Sequence, residues 1–228
     1  MKSGLYRRFL KRWLDLAVAL PALLLLAPLL ALLALLVRLD LGAPVLFRQQ
    51  RVGWQEKPFT IYKFRTMTDA RDAQGCLLPA AQRLTRLGRL LRRTSLDELP
   101  QLWNVLTGDM SLVGPRPLYV EYLPCYTERE RQRHQLRPGI TGLAQVSGRH
   151  YLPWDERLEL DVRYVERLAP GLDLSILLRT LWKAVAGKDV LEGVGAVQGP
   201  LTHYRAEVGS LEQGRPADGA APHRERHA

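Results

Sequence analysis

A mostly helical α+β domain that carries one N-terminal apolar helix is the fold class this sequence predicts. Three observations point there. Residues 16–37 run without a charge and are mostly Leu and Ala. Two short alternating runs, residues 44–49 and 59–65, flank a turn-rich stretch at 52–58, which is the pattern of a β-hairpin. Most of the remaining chain places its apolar residues at helical spacing.

The apolar run comes first. As a helix its 22 residues would measure roughly 33 Å, enough to cross a hydrocarbon core of ~30 Å. A secretory signal peptide would need a small-residue cleavage site, and none precedes Arg38, Asp40 and Arg48. A spanning anchor fits the length, but Pro28 near the middle removes a backbone donor and is expected to kink or break the helix there. Lys2, Arg7, Arg8, Lys11 and Arg12 precede the run, and Arg38, Arg48, Arg51 and Lys57 follow it. Positive-inside reasoning then keeps both ends in the cytoplasm, as a helix that enters, breaks at Pro28 and returns. Proline is also tolerated in spanning helices, so the sequence leaves both topologies open.

Beyond the hairpin, residues 84–93 carry Leu84, Leu87, Leu90 and Leu91 on one helical face with Arg86, Arg89, Arg92 and Arg93 around it. Such a surface helix suits a membrane or simply a small core. Ser95 and Glu98 read as a capping box opening a helix through Leu106; alternatively Pro100 begins that helix and leaves Asp97-Glu98 in the preceding turn. Residues 108–117 and 137–142 read as loops, the first stiffened by Pro115 and Pro117 around Arg116. Helices are expected at 126–135, 154–167 and 174–186. From Gly193 onward Gly, Pro, Ala and polar residues dominate, and the last twenty or so residues should be mobile. The domain reading is 1–40 membrane segment, 41–190 cytoplasmic core and 191–228 C-terminal extension.

Composition narrows the functions. The chain has 228 residues, one domain with an appendage, and a net charge of +10, which suits an anionic partner. A hydrophobic share of 46% with mean hydropathy −0.15 excludes a polytopic membrane protein and general disorder. Cys76 and Cys125 cannot build a disulfide framework, no Cys/His cluster has zinc spacing, and a reducing compartment follows. The basic residues are spread along the chain without a nucleic-acid motif. His134 and His150 stand alone and suit surface or hydrogen-bonded roles, while Trp103 and Trp154 suit core or membrane-interface positions.

Asp97-Glu98 is the adjacent acidic pair with basic residues on both sides. Its plain explanation is helix capping, because carboxylates in a first turn satisfy orphan N–H groups. Its functional explanation needs an anionic ligand, with a cation such as Mg²⁺ or several Arg side chains offsetting the repulsion. Arg92, Arg93 and Arg116 could supply that charge through bidentate contacts.

At these residues the chain resembles the bacterial monotopic phosphoglycosyl transferases, the bacterial sugar transferase family. The likeness runs over residues 5–190. It rests on Lys11-Arg12…Asp15, Arg48-Gln49…Arg51-Val52-Gly53, Tyr62-Lys63-Phe64-Arg65-Thr66-Met67 and Thr94-Ser95-Leu96-Asp97-Glu98-Leu99-Pro100-Gln101-Leu102. Gly108-Asp109-Met110-Ser111-Leu112-Val113-Gly114-Pro115-Arg116-Pro117, Arg137-Pro138-Gly139-Ile140-Thr141-Gly142 and Leu160-Asp161-Val162 complete the ordered set. Thr66-Met67…Asp69…Arg71-Asp72…Gly75 and Val120-Glu121-Tyr122-Leu123-Pro124 are similar to the small undecaprenyl phosphate N,N′-diacetylbacillosamine 1-phosphate transferase type. One departure stands at the membrane break, where Ala27-Pro28 replaces the Ser-Pro frequent in the family.

The resemblance implies transfer of a sugar 1-phosphate from a UDP-sugar donor to a polyprenyl (undecaprenyl) phosphate acceptor, at the cytoplasmic leaflet of the bacterial inner membrane. Asp97 would be the nucleophile and Mg²⁺ ligand in a ping-pong reaction, and Glu98 its dyad partner. Arg92, Arg116 and Lys63 would bind phosphate. No nucleic-acid partner is implied, and a homodimer is compatible. A non-catalytic membrane-attached scaffold for glycan assembly is the rival reading.

Overall fold

The computed structural model describes residues 2–148, 152–186 and 199–212. Helical structure begins at Lys2, passes through a π-helical stretch at Tyr6–Leu10 and continues as α1, Lys11–Leu41. The helix carries on through Pro21 and Pro28, so the interruption expected at Pro28 is a proline inside one helix and not a gap between two. Each proline removes one backbone donor, and packing on both sides offsets that loss. Ala19, Ala22, Leu23 and Leu26 pack with Ile61, Leu102, Val105 and Met110. Past Pro28, Leu29, Leu30, Leu33 and Val37 pack with Phe64 and Leu91.

A buried polar cluster fixes the start of α1. Lys11 pairs with Asp173 at 2.6 Å, and Tyr6 and Tyr164 donate to the same carboxylate at 2.6 and 2.7 Å. Asp15 accepts from the Ser111 hydroxyl and the Leu112 N–H, each at 3.0 Å. The opposite face is bare: Leu24, Leu25 and Leu39 are 68%, 79% and 74% exposed. An apolar face of that size is not left to water in a soluble monomer.

The expected hairpin is present. β1 (Leu46–Val52) and β2 (Pro58–Phe64) are antiparallel from Leu46 opposite Phe64 to Val52 opposite Pro58. Helix α2 (Arg86–Thr94) starts at Thr85, whose hydroxyl accepts from the Gly88 N–H at 2.9 Å, and exposes Arg86, Arg89 and Leu90.

Two expectations downstream are corrected. Ser95 caps nothing with its side chain: it is left-handed, with φ 57°, and ends α2. A single turn at Leu96–Glu98 follows, and α3 (Gln101–Thr107) begins only after Pro100. The acidic pair thus lies in the preceding turn, as the alternative reading allowed. The second correction concerns the two loops, which contain strands β3 (Ser111–Val113) and β4 (Gly139–Thr141) paired in parallel. Three residues each are too few to show alternation. Their backbones nearly touch, since a Cβ at Gly139 would lie 2.0 Å from the Gly114 nitrogen. Only glycine fits there.

The expected helix at 126–135 is a short α turn, Glu128–Arg131, running into a tighter turn, Gln132–Gln135. It opens on a capping box between Thr127 and Glu130. α4 (Trp154–Glu166) and α5 (Pro170–Ala186) fall where expected, α5 starting four residues earlier. The region past Gly193 holds a helix that its composition hid, α6 (Leu201–Glu212). Buried Leu201 packs beside Trp154 and Leu158, and Arg205 pairs with Asp155 at 3.0 Å. His150 and the final residues, 213–228, expected to be mobile, lie outside the described residues.

Candidate active site

Asp97 and Glu98 are brought to the surface of the core by a short turn wedged between two helices. The left-handed Ser95 turns the chain away from α2, and Pro100 starts α3. Leu96 and Leu99 anchor the turn by packing toward Phe64 and Leu91. The two carboxylates therefore face the edge of the hairpin and the Pro115-Arg116-Pro117 segment.

They are held very differently. Glu98 Oε1 accepts from Lys63 Nζ at 2.5 Å and from Arg116 Nη2 at 3.2 Å. Burial works against its charge, but the two cations outweigh burial and hold its carboxyl far below the usual carboxylate range. This also explains the failed capping box. A carboxylate with two charge-assisted partners gains more from them than from one exposed backbone N–H.

Asp97 is 8% exposed and, among the described residues, has no hydrogen-bond partner. Burial first, then the neighbouring Glu98, pushes its carboxyl up to about 6, against the opposing pull of Lys63, Arg92 and Arg116. Its oxygens are thus committed to nothing, within the field of three cations. A nucleophile or a metal ligand needs that condition.

Of the cations expected to bind phosphate, Lys63 and Arg116 sit together on Glu98, while Arg92 donates from Nε to the Thr66 hydroxyl at 3.0 Å. The Arg116 side chain is 37% exposed, so its fork is only partly occupied by Glu98. Among the described residues no group of three His, Cys, Asp or Glu side chains converges as a metal cage. A divalent cation held by one carboxylate and by substrate phosphates needs no cage. The uncommitted oxygens of Asp97 fit that arrangement.

Sequence reasoning missed the support beneath Arg116. Arg133, 1% exposed, donates from Nη2 to the Arg116 carbonyl at 2.6 Å. The same guanidinium donates to Asp161 Oδ2 from Nε at 3.1 Å and from Nη2 at 2.6 Å. Asp161 lay inside a matched stretch without a role, and nothing local to Arg133 marks it as buried. His134 takes the hydrogen-bonded of its two expected roles, its Nε2 3.5 Å from Arg133 Nη1. It is buried against Tyr126, and burial, then Arg133, pulls its imidazole down to about 3, so it stays neutral.

Comparisons with known proteins converge. Residues 6–187 match the model of the bacterial sugar transferase family. The chain is 51% identical over 181 residues to the uncharacterized sugar transferase EpsL of Bacillus subtilis, covering 79% of this chain and 90% of that one. It is 44% identical to the exopolysaccharide production protein PSS of Rhizobium leguminosarum, covering 75% of this chain and 93% of that one. It is 41% identical to the UDP-glucose:undecaprenyl-phosphate glucose-1-phosphate transferase of Escherichia coli, over 79% of this chain but 41% of that protein. The chain thus spans nearly all of the first two relatives and less than half of the third.

Proposed function

We propose, from the premise that this chain belongs to the bacterial sugar transferase family and is a phosphoglycosyl transferase, that it moves a sugar 1-phosphate from a UDP-sugar to undecaprenyl phosphate. The carrying observation is Asp97, buried and without a hydrogen-bond partner among the described residues, beside cations that a diphosphate would attract. In this reading a carboxylate oxygen of Asp97 attacks the sugar-bearing phosphorus. The bond from that phosphorus to the bridging oxygen breaks, and its electron pair leaves with UMP. The acceptor's phosphate oxygen then attacks the aspartyl phosphosugar, the Asp97–phosphorus bond breaks, and polyprenyl diphosphate-sugar departs.

Each neighbour has a part. Arg92 and Arg116 bind the donor's phosphoryl oxygens, and Lys63 adds charge without a planar fork. Glu98, already ionised and answered by two cations, is a poor proton acceptor; it serves as the fixed anion that spaces Lys63 from Arg116. Asp97 would be the residue to hold Mg²⁺, which when bound would supply Lewis-acid relief of the charge on the departing nucleotide. Names among the relatives mention glucose and N-acetylgalactosamine, and the likeness to the diacetylbacillosamine type adds a third donor class. A panel of UDP-sugars, with purified protein and polyprenyl phosphate, is expected to release UMP with at least one donor. No UMP from any donor would favour the non-catalytic scaffold.

The membrane segment belongs to the same proposal. α1 touches the polar core near both ends, through Lys11 and Asp15 on one side and Leu33 and Val37 on the other. A helix crossing the bilayer upright would drag that core into hydrocarbon, at the cost of stripping its charges of water. A re-entrant segment in the cytoplasmic leaflet of the inner membrane avoids this and keeps Asp97 at headgroup depth. Cysteines introduced at Ser3 and Ala43 are expected to resist an impermeant reagent applied from the periplasmic side. Labelling of just one of them would make α1 a spanning helix.

A further inference from the structure

The proposed reaction uses one face of Arg116 and leaves two unusual arginines unexplained. Arg51, at the end of β1, stacks on the Tyr119 ring at 3.7 Å and donates to Gln49 Oε1 at 2.6 Å. Arg157, on α4, stacks on the Trp154 ring at 4.3 Å and donates to the Leu152 carbonyl at 3.0 Å. The Nε of each is buried with no hydrogen-bond partner. Tyr122 joins the two platforms edge-on, 5.4 Å from Tyr119 and 5.7 Å from Trp154. Two guanidiniums are therefore braced on one aromatic ladder.

The backbone ties both to Arg116. Val52, next to Arg51, donates to the Leu118 carbonyl at 3.0 Å, two residues past Arg116. Arg157 lies one helical turn before Asp161, which holds Arg133, which in turn holds the Arg116 carbonyl. Nearby charge does not balance. Glu98 answers Lys63 and Arg116, and Asp161 answers Arg133. Arg51 and Arg157 have no ion-pair partner among the described residues. Burial first, and with it the like charge of Arg116, pulls both guanidiniums below their ordinary values, while Tyr119 opposes this for Arg51 and Asp161 for Arg157. Braced, desolvated guanidiniums without an ion pair are the makings of an anion site.

We propose that Arg51, Arg116 and Arg157 form a second phosphoryl-binding subsite, which takes the phosphate lying opposite Asp97. This rests on the transfer reaction above. In an in-line displacement UMP leaves on the side away from Asp97. The acceptor phosphate must later attack the aspartyl phosphosugar from that same side. One subsite therefore serves the nucleotide phosphate and the acceptor phosphate in turn.

The test titrates the full chain in detergent with UMP, with a short-chain polyprenyl phosphate and with inorganic pyrophosphate. Wild type is expected to bind UMP and lose it competitively to polyprenyl phosphate. Arg51→Gln and Arg157→Gln should each weaken binding about tenfold or more, with the Lys variants intermediate because they keep charge without the fork. Weakening of UMP alone or of polyprenyl phosphate alone overturns the shared role and leaves a subsite for the donor or for the acceptor only. Unchanged affinity for all three probes in variants that melt cooperatively overturns the proposal, as does a wild type that binds none of them. Where a Gln variant fails to fold, the Lys variant decides by the same titration. Pyrophosphate separates the two levels: its weakening in the variants supports the subsite even if wild type turns over no UDP-sugar, which would instead sink the transfer reaction.

Discussion

Asp97→Asn is expected to abolish transfer while leaving the protein folded and, near neutral pH, more stable than wild type. With a UDP-sugar and no lipid acceptor, wild type should release UMP in a burst of no more than one equivalent. Mass spectrometry should then find the phosphosugar on the peptide containing Asp97. The variant should show neither, with turnover down at least ~10³-fold. The stability change follows from linkage. The Asp97 carboxyl titrates near 6 in the folded protein, against ~3.9 in an unfolded chain, so the folded state holds the proton more tightly. That contribution is complete below the unfolded value and is lost as pH rises through about 6. Asparagine escapes the loss, so its advantage should be on the order of 2 kcal/mol at pH 7.5 and vanish near pH 4, as read from urea midpoints. Attack needs the carboxylate, so kcat/KM for the donor in wild type should climb through pH 6 and level off above it. A folded, fully active Asn variant would make the acidic pair structural. UMP release that requires the lipid even in wild type would replace the covalent route with direct transfer.

That Asp97 and Glu98 lie among basic side chains was legible in the sequence, and how they are held was not. Ser95 and Glu98 have the spacing of a capping box, and local pattern cannot see Lys63, which lies 35 positions away and takes Glu98 at 2.5 Å. The true capping box, Thr127 with Glu130, went unread because its helix is one turn long. Long elements with strong periodicity emerged near their expected bounds: α1, the hairpin, α4 and α5. β3 and β4 did not, because a three-residue parallel pair is held by a partner about 28 residues away and not by its own composition. α6 was hidden by Gly and Pro around it, and its place depends on Leu201 reaching the Trp154 cluster. Pro28 was overread. One lost hydrogen bond does not end a helix whose flanking turns are packed on both sides.

Asp161→Ala is expected to cost the most stability of any single change at the site, on the order of 3–5 kcal/mol, because it strands the buried Arg133 guanidinium without its counter-charge. A loss of that size should lower the melting temperature by several degrees. On its own the result would say nothing about function, since any unfolding protein loses activity. A second variant separates the two. Replacing the pair together, Arg133→Met with Asp161→Leu, removes both charges and fills similar volume, so most of the stability should return. The Arg116 carbonyl would still have lost its 2.6 Å donor, and the segment between Pro115 and Pro117 would no longer be fixed beneath the Arg116 side chain. Turnover should therefore stay low in the stable double variant, with kcat falling more than donor affinity, because Arg116 keeps its charge and loses its placement. Recovery of both stability and turnover would reduce Arg133 and Asp161 to core packing. Stability without turnover would make them the positioning pair of the site, a role that buried charge 28 residues apart in sequence gains only through the fold.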